Sequence, residues 1–313
     1  MEYTTLGRTG LSVSRIGLGC GGHSRLGLKI GKSEESAIAV VREAIDLGIN
    51  IIDTAESYGT EAVVGRALRG VPRNGIVIST KAGVDWQDAW CSAADMILRV
   101  EACLQRLETD YIDVFHLHAV TVDEYPYACE ELLPALKKVQ AEGKIRFIGI
   151  TETFGPDPSH QMLSRLVEEE ASFWDVIMTG FNLLNQSARD RVLQYTTLNN
   201  IGTLCMFAVR RALSQPDALK EAMQGLIARG LVDGAEIDLS NPLGFLAQCS
   251  TSITDAGYRF CSHEPGIDVV LSGTSSVEHL RENLQSILAP PLPDEITVKL
   301  REIFANVDSI SGN

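Results

Sequence analysis

No window of the 313-residue sequence approaches the roughly 18 consecutive apolar residues that a spanning helix needs. Its first residues, MEYTTLGRTG, lack the positively charged region and apolar stretch of a secretory leader. A cytoplasmic, soluble chain is the expectation. Cysteine pairs at ligand spacing are also missing. The seven cysteines (20, 91, 103, 129, 205, 249 and 261) form no CxxC and sit in apolar runs as small core residues, which fits a reducing compartment. Positive charge is scarce: 27 Lys and Arg stand against 41 Asp and Glu, for a formal net charge of −14. With no basic face in sight, nucleic acid and anionic membranes are poor partners and a small-molecule substrate is favoured. Oligomeric state is not legible. Neither a linker nor a low-complexity tract interrupts the chain, and a 45% hydrophobic fraction suffices for a large core.

What the sequence does contain is a beat. Short β-branched or apolar runs fall at 15–20, 50–55, 75–81, 112–118, 145–151, 175–181, 202–208 and 269–273. Amphipathic segments separate them. SEESAIAVVREAIDLG at 33–48 has Ser33 as N-cap, Glu34 and Glu35 in the first turn and a glycine stop at Gly48. Comparable patterns fall at 93–108, 131–143, 159–170, 188–200, 218–230 and 276–288. Eight strand–helix units without a break in composition predict the α/β class, a (β/α)₈ TIM barrel, with residues 1–313 as one domain. Residues 1–14 read as an added N-terminal β-hairpin turning at Arg8-Thr9-Gly10. The stretch 231–268 reads as an insertion that leaves extra helical segments toward the C-terminus.

In such a barrel, chemistry belongs at the carboxyl ends of the strands. The second strand ends at Asp53 with Tyr58 in the following loop, the third ends at Lys81 and the fourth at His118. A carbonyl that accepts hydride at carbon develops negative charge on oxygen and needs a proton donor there. Tyr58 is the candidate donor. A tyrosine near its ordinary pKa of ~10 is a poor proton exchanger at neutral pH, and the Lys81 ammonium would favour its phenolate. Asp53 would hold Lys81 in place, and His118 would orient the carbonyl oxygen. Taken singly, each has a structural alternative: a turn cap at Asp53, a packed ring at Tyr58, a solvated lysine, a core histidine. Their placement on three consecutive strand ends favours the catalytic reading.

These residues carry a family resemblance. GINIIDTAESYGTEAVVG at 48–65, LGRTGLSVSRIGLGCG at 6–21, DYIDVFHLH at 110–118 and LSGTSSVEHLRENL at 271–284 resemble motifs of the aldo-keto reductases. The resemblance implies a catalytic tetrad at Asp53, Tyr58, Lys81 and His118. It also implies a nicotinamide dinucleotide, NADP(H) first and NAD(H) as the other option, and an aldehyde, ketone or sugar substrate. Cofactor contacts carried over fall on Thr151 and Glu152 after the fifth strand, Met178 on the sixth, and Met206 or Phe207 on the seventh. At the cofactor tail they fall on Gly273, Thr274, Ser275, His279 and Asn283. Several depart from the family pattern: Thr151-Glu152 stands where Ser-Asn is common, Met178 where glutamine is common. Gly273 and His279 stand where a lysine and an arginine often meet a 2′-phosphate.

Three other readings compete with this one. GLGCGG at 17–22 fits GxGxxG, but the next helix starts about ten residues on, so the glycines do not open a helix as a doubly wound site requires. His116 and His118 share a strand face, as in metal-dependent barrel hydrolases, yet no further ligand lies at metal spacing. No metal site is expected. A nucleotide-binding regulatory subunit with little turnover would keep the same fold. Trp86 and Trp90 are aromatic candidates for the substrate wall.

Overall fold

The computed structural model describes residues 1–87, 89–169 and 173–313. Thus Asp88, between Trp86 and Trp90, and Glu170, at the end of the amphipathic segment 159–170, lie outside the described residues. Eight parallel strands close a barrel: β3 (Ile16–Gly19), β4 (Ile51–Asp53), β5 (Val77–Gly83), β8 (Ile112–Val120), β9 (Ile145–Glu152), β10 (Val176–Gly180), β11 (Gly202–Met206) and β12 (Val269–Ser272). Spatial order follows chain order, and β12 pairs with β3 to complete the ring. All eight expected runs are strands. The third and fourth extend past their predicted ends because Gly83 pairs with His118 in a ladder that runs to the rim.

The predicted hairpin is present as β1 (Tyr3–Thr5) and β2 (Ser12–Ser14), antiparallel, with Gly10 at φ +69 closing the turn. Its apolar residues Leu6, Leu11 and Val13 pack against Ile51, Val77, Val114, Val176, Leu204 and Val269 from the barrel strands. The hairpin therefore plugs the end of the barrel opposite the strand carboxyl ends. Gly7 and Gly202 make the approach possible, since a Cβ on Gly7 would strike the Gly202 amide nitrogen.

Helices cover the outside, starting with Glu34–Asp46, whose N-cap Ser33 accepts the Ser36 amide as its position predicts. The helices Ala93–Leu107 and Val277–Leu288 are capped likewise by Ser92 and Ser276. A second apolar layer between strands and helices forms the larger core. The 231–268 stretch holds two short 3₁₀ turns and the helix Ile253–Ser262, and a final helix spans Asp294–Ile303. After β5 a short antiparallel pair, β6 (Asp85–Trp86) and β7 (Ala89–Trp90), stands at the rim. No helix among the described residues is long and apolar enough to cross a membrane.

Candidate active site

Parallel strands buried on both faces point alternate side chains into the barrel, and the register fixes which of them meet. Asp53 of β4 is opposite Ser79 of β5, and Lys81 of β5 is opposite His116 of β8. Lys81 is fully buried, and its Nζ donates to Asp53 Oδ1 at 2.6 Å and to the Thr54 carbonyl at 2.8 Å. Burying an ammonium costs several kcal/mol unless it is paired and hydrogen-bonded, and here it is both. Burial pulls the Lys81 pKa down, but the charges of Asp53 and Tyr58 and the Asp53 hydrogen bond outweigh it, so the net direction is up. Lys81 is therefore a permanent cation.

Tyr58 ends a 3₁₀ turn, Glu56–Tyr58, that Gly59 closes at φ +70. The turn is anchored where Thr54 and Thr60 hydroxyls meet at 2.8 Å. Tyr58 OH lies 3.4 Å from His118 Nε2, and Lys81 Nζ stands 5.3 Å from the Tyr58 ring centre. The ring lies against Gly21, where any Cβ would collide with it. Burial pushes the Tyr58 pKa up; Lys81 opposes this, Asp53 adds to it, and the net direction is up. Lys81 favours the phenolate as its charge requires, but burial, which local sequence does not set, outweighs it. His118 is driven down to about 3 by burial and by the charges of Lys81 and Arg99, so its imidazole is neutral.

Asp53 and Tyr58 open into a cleft of about 520 Å³ at the carboxyl ends of the strands, with Lys81 buried behind them. Its lining includes Asp53, Tyr58, Met178, Met206, Phe207 and Gly273. So four of the expected cofactor residues share a cavity with the tyrosine. Gly19, Gly21 and Gly22 line it too, which accounts for the GLGCGG run as backbone close to a cavity.

Others are engaged elsewhere. Thr151 Oγ1 accepts the Ala119 amide at 2.7 Å. Glu152 is buried with its carboxylate held by His160 Nδ1 at 2.8 Å, Thr179 Oγ1 at 2.8 Å and the Gly180 amide at 2.7 Å. Phe154 stacks on His160 and stands at right angles to Phe207. Glu152 is thus the foot of a column that supports Phe207, whose φ of +65 is unusual for a side chain of that size. Near the tail motif, Thr274 Oγ1 accepts the Ser276 amide at 3.1 Å, and Ser276 caps the helix through the His279 amide. Asn283 Nδ2 donates to Ser272 Oγ at 2.9 Å.

Sequence reasoning missed two residues. Arg210 Cζ sits 3.8 Å over the Phe207 ring in the cleft, and among the described residues no carboxylate pairs with it. Lys32, from the loop after β3, donates to the Ser275 carbonyl at 2.6 Å and brings an ammonium to the tail motif. Arg281, by contrast, pairs with Glu43 at 2.8 Å. No spacing signal marks Lys32, since 243 residues separate it from its partner. Trp86 lies over Arg99 and Trp90 against Tyr127, with Trp90 half exposed.

A closed parallel barrel whose carboxyl-end rim holds a buried lysine–aspartate pair beneath a tyrosine and a neutral histidine belongs to the (β/α)₈ proteins with a polar centre at that rim. The chain is a member of the aldo/keto reductase family, whose model matches residues 15–304. It is 32% identical over 337 aligned positions to the aldo-keto reductase YhdN of Bacillus subtilis, covering 99% of this chain and 95% of that one. It is 39% identical over 158 positions, 48% of each chain, to the L-galactose dehydrogenase of Arabidopsis thaliana. An aldo-keto reductase of Bacillus halodurans in its holo form has the same fold, with a TM-score of 0.73 at 24% identity over 99% of this chain and 98% of that one.

Proposed function

We propose that residues 1–313 act as one domain, an NAD(P)-dependent oxidoreductase that moves hydride between a nicotinamide and a carbonyl or alcohol, with Tyr58 as general acid. The observation that carries this reading is the Tyr58 hydroxyl, 3.4 Å from a neutral imidazole and above the Lys81–Asp53 pair, at the wall of the cleft. Proteins of this family generally use nicotinamide cofactors, and the cleft fits one. Glycines line its floor, and Arg210 brings to it a cation that meets no carboxylate among the described residues, a partner for a diphosphate.

Met206 is the better nicotinamide neighbour of the two candidates, because it joins Met178 and Leu271 inside the barrel. The Phe207 face is covered by Arg210. When bound, the nicotinamide supplies the hydride for reduction and takes it up in oxidation. His118, uncharged, orients the substrate oxygen against Tyr58 OH. Tyr58 gives its proton to the oxygen as negative charge develops there, and Lys81 stabilises the phenolate left behind. Asp53 keeps Lys81 from moving toward that phenolate. The substrate is a small aldehyde, ketone or sugar, and the L-galactose named for the Arabidopsis relative makes sugars the first compounds to try. NADP(H) is the favoured cofactor and NAD(H) is accepted.

Screening aldehydes, aldoses and lactols with both cofactors tests the reading, with Tyr58→Phe as control. That variant keeps the ring and loses the proton, so turnover should fall by ~10² or more while cofactor affinity holds. A regulatory subunit would bind cofactor and turn it over far below about 1 s⁻¹ with every substrate. Near-normal turnover in Tyr58→Phe would remove the tyrosine from its role.

A further inference from the structure

His116 and Ser79 lie behind the Lys81–Asp53 pair, and the proposed reaction makes no use of either. Ser79 Oγ is 2.8 Å from Asp53 Oδ1 and 3.1 Å from His116 Nε2, and all three side chains are buried. The same Asp53 oxygen receives Lys81 Nζ.

Donor arithmetic orients the chain. An ionised Asp53 can only accept, so the single Ser79 proton points to it. Ser79 then presents a lone pair to His116, and His116 Nε2 must carry the proton that fills it. Neutrality follows from the surroundings: burial first, then the Lys81 charge, push the His116 pKa well below its ordinary value against a weaker pull from the Ile150 backbone. The bare nitrogen is then Nδ1, and it is Nδ1 that lacks a partner among the described residues. Gly149, on the neighbouring strand, leaves room for the ring: a Cβ there would overlap Nδ1. The groups around the imidazole are Lys81 and Ser79 on β5, His118 on its own strand, Asp53 on β4 and the backbone of Ile150 on β9; among the described side chains Ser79 alone lies within hydrogen-bond distance.

We propose that His116 and Ser79 are positioning residues for the proton-transfer site: a neutral Nε2–H tautomer of His116 fixes the Ser79 hydroxyl, which in turn fixes the Asp53 carboxylate that holds Lys81. Using a neutral donor secures Asp53 without placing another cation beside Lys81. This rests on the assignment of Tyr58, Lys81 and Asp53 to the reaction. Its first test does not.

Imidazole ¹⁵N resonances of the wild-type protein report the tautomer directly. The Nε2–H form at His116, unchanged between pH 6 and 8, is expected; an Nδ1–H or charged ring overturns the proposal whatever the protein catalyses. For function, Ser79→Ala and His116→Leu should lower kcat on the order of tenfold, the typical effect of losing a hydrogen bond to a charged group, with carbonyl KM little changed. Ser79→Thr and His116→Gln, which keep a donor, should recover most of it. The alkaline limb of kcat should move to higher pH in Ser79→Ala, because a less neutralised Asp53 opposes ionisation of Tyr58 more strongly. Should His116→Gln be as impaired as His116→Leu, or Ser79→Ala keep both kcat and pH profile, the two residues merely fill space. Loss of activity in Tyr58→Phe alongside a normal Ser79→Ala would leave the proposed reaction standing and sink only this inference.

Discussion

At the scale of single residues, the site is a problem in opposed charges. Tyr58 is pushed up by burial and by Asp53 and held down by Lys81 alone among its large neighbours, with a smaller contribution from Arg210. Replacing Lys81 with Met removes the larger of the two opposing charges. Even if Asp53 then takes up a proton, the Tyr58 pKa should rise, because the Lys81 influence exceeds that of Asp53. The sign for the rate follows: reduction needs protonated Tyr58 and oxidation needs the phenolate. The alkaline fall of reduction and the alkaline rise of oxidation should therefore both shift to higher pH. Profiles of residual kcat in the two directions check this, and an unmoved limb would remove Lys81 from the proton-transfer step. His118 contributes no acid limb near its ordinary pKa, since it stays neutral down to about pH 3.

Secondary elements bear on the choice between NADP(H) and NAD(H). The tail motif offers hydrogen bonds from Ser275 and the start of the helix Val277–Leu288, whose N-terminal dipole favours phosphate. It holds no basic residue of its own free for a 2′-phosphate, because Glu43 on the helix Glu34–Asp46 engages Arg281. The loop after β3 provides one instead through Lys32, whose stem lies over Gly27 at φ +99. One charge rather than two predicts a modest preference for NADPH, below about 10³ in kcat/KM, a gap of roughly 4 kcal/mol. Lys32→Met should reduce kcat/KM with NADPH about tenfold relative to NADH, the effect of one charge-assisted contact. An equal loss with both cofactors would place Lys32 away from the 2′-phosphate.

For the whole molecule, a net charge of −14 repels an anionic cofactor, yet the cleft carries Arg210 and Arg211. Burial works against the Arg210 charge and no carboxylate among the described residues offsets that, so a bound anion would stabilise it. Arg210→Gln should therefore weaken cofactor binding by tenfold or more, and the dependence of Kd on ionic strength should flatten. Fluorescence titration at two salt concentrations measures both, and an unchanged Kd would move the diphosphate elsewhere in the cleft.

The barrel was legible from the sequence because strand and helix periodicities are local: each of the eight runs buries two faces, and several amphipathic segments carry their own N-cap, as at Ser33, Ser92 and Ser276. The gathering of Asp53, Lys81 and His118 was legible for a related reason, since they lie toward the carboxyl ends of consecutive strands, and parallel register brings such ends together. What the tertiary structure alone decided is everything that depends on separation through space. Burial reversed the net direction at Tyr58. Glu152, placed by family pattern beside the cofactor, is bound by Thr179 and Gly180 on the next strand. Arg210 enters the cleft, and Lys32 reaches the tail motif, from loops whose sequences carry no periodic signal. His116, a metal-like repeat with His118 in sequence, reaches Ser79 because Gly149 on the adjoining strand leaves it room. Local chemistry writes the elements, but desolvation and partner choice are properties of the closed barrel, where residues far apart along the chain share one low-dielectric space.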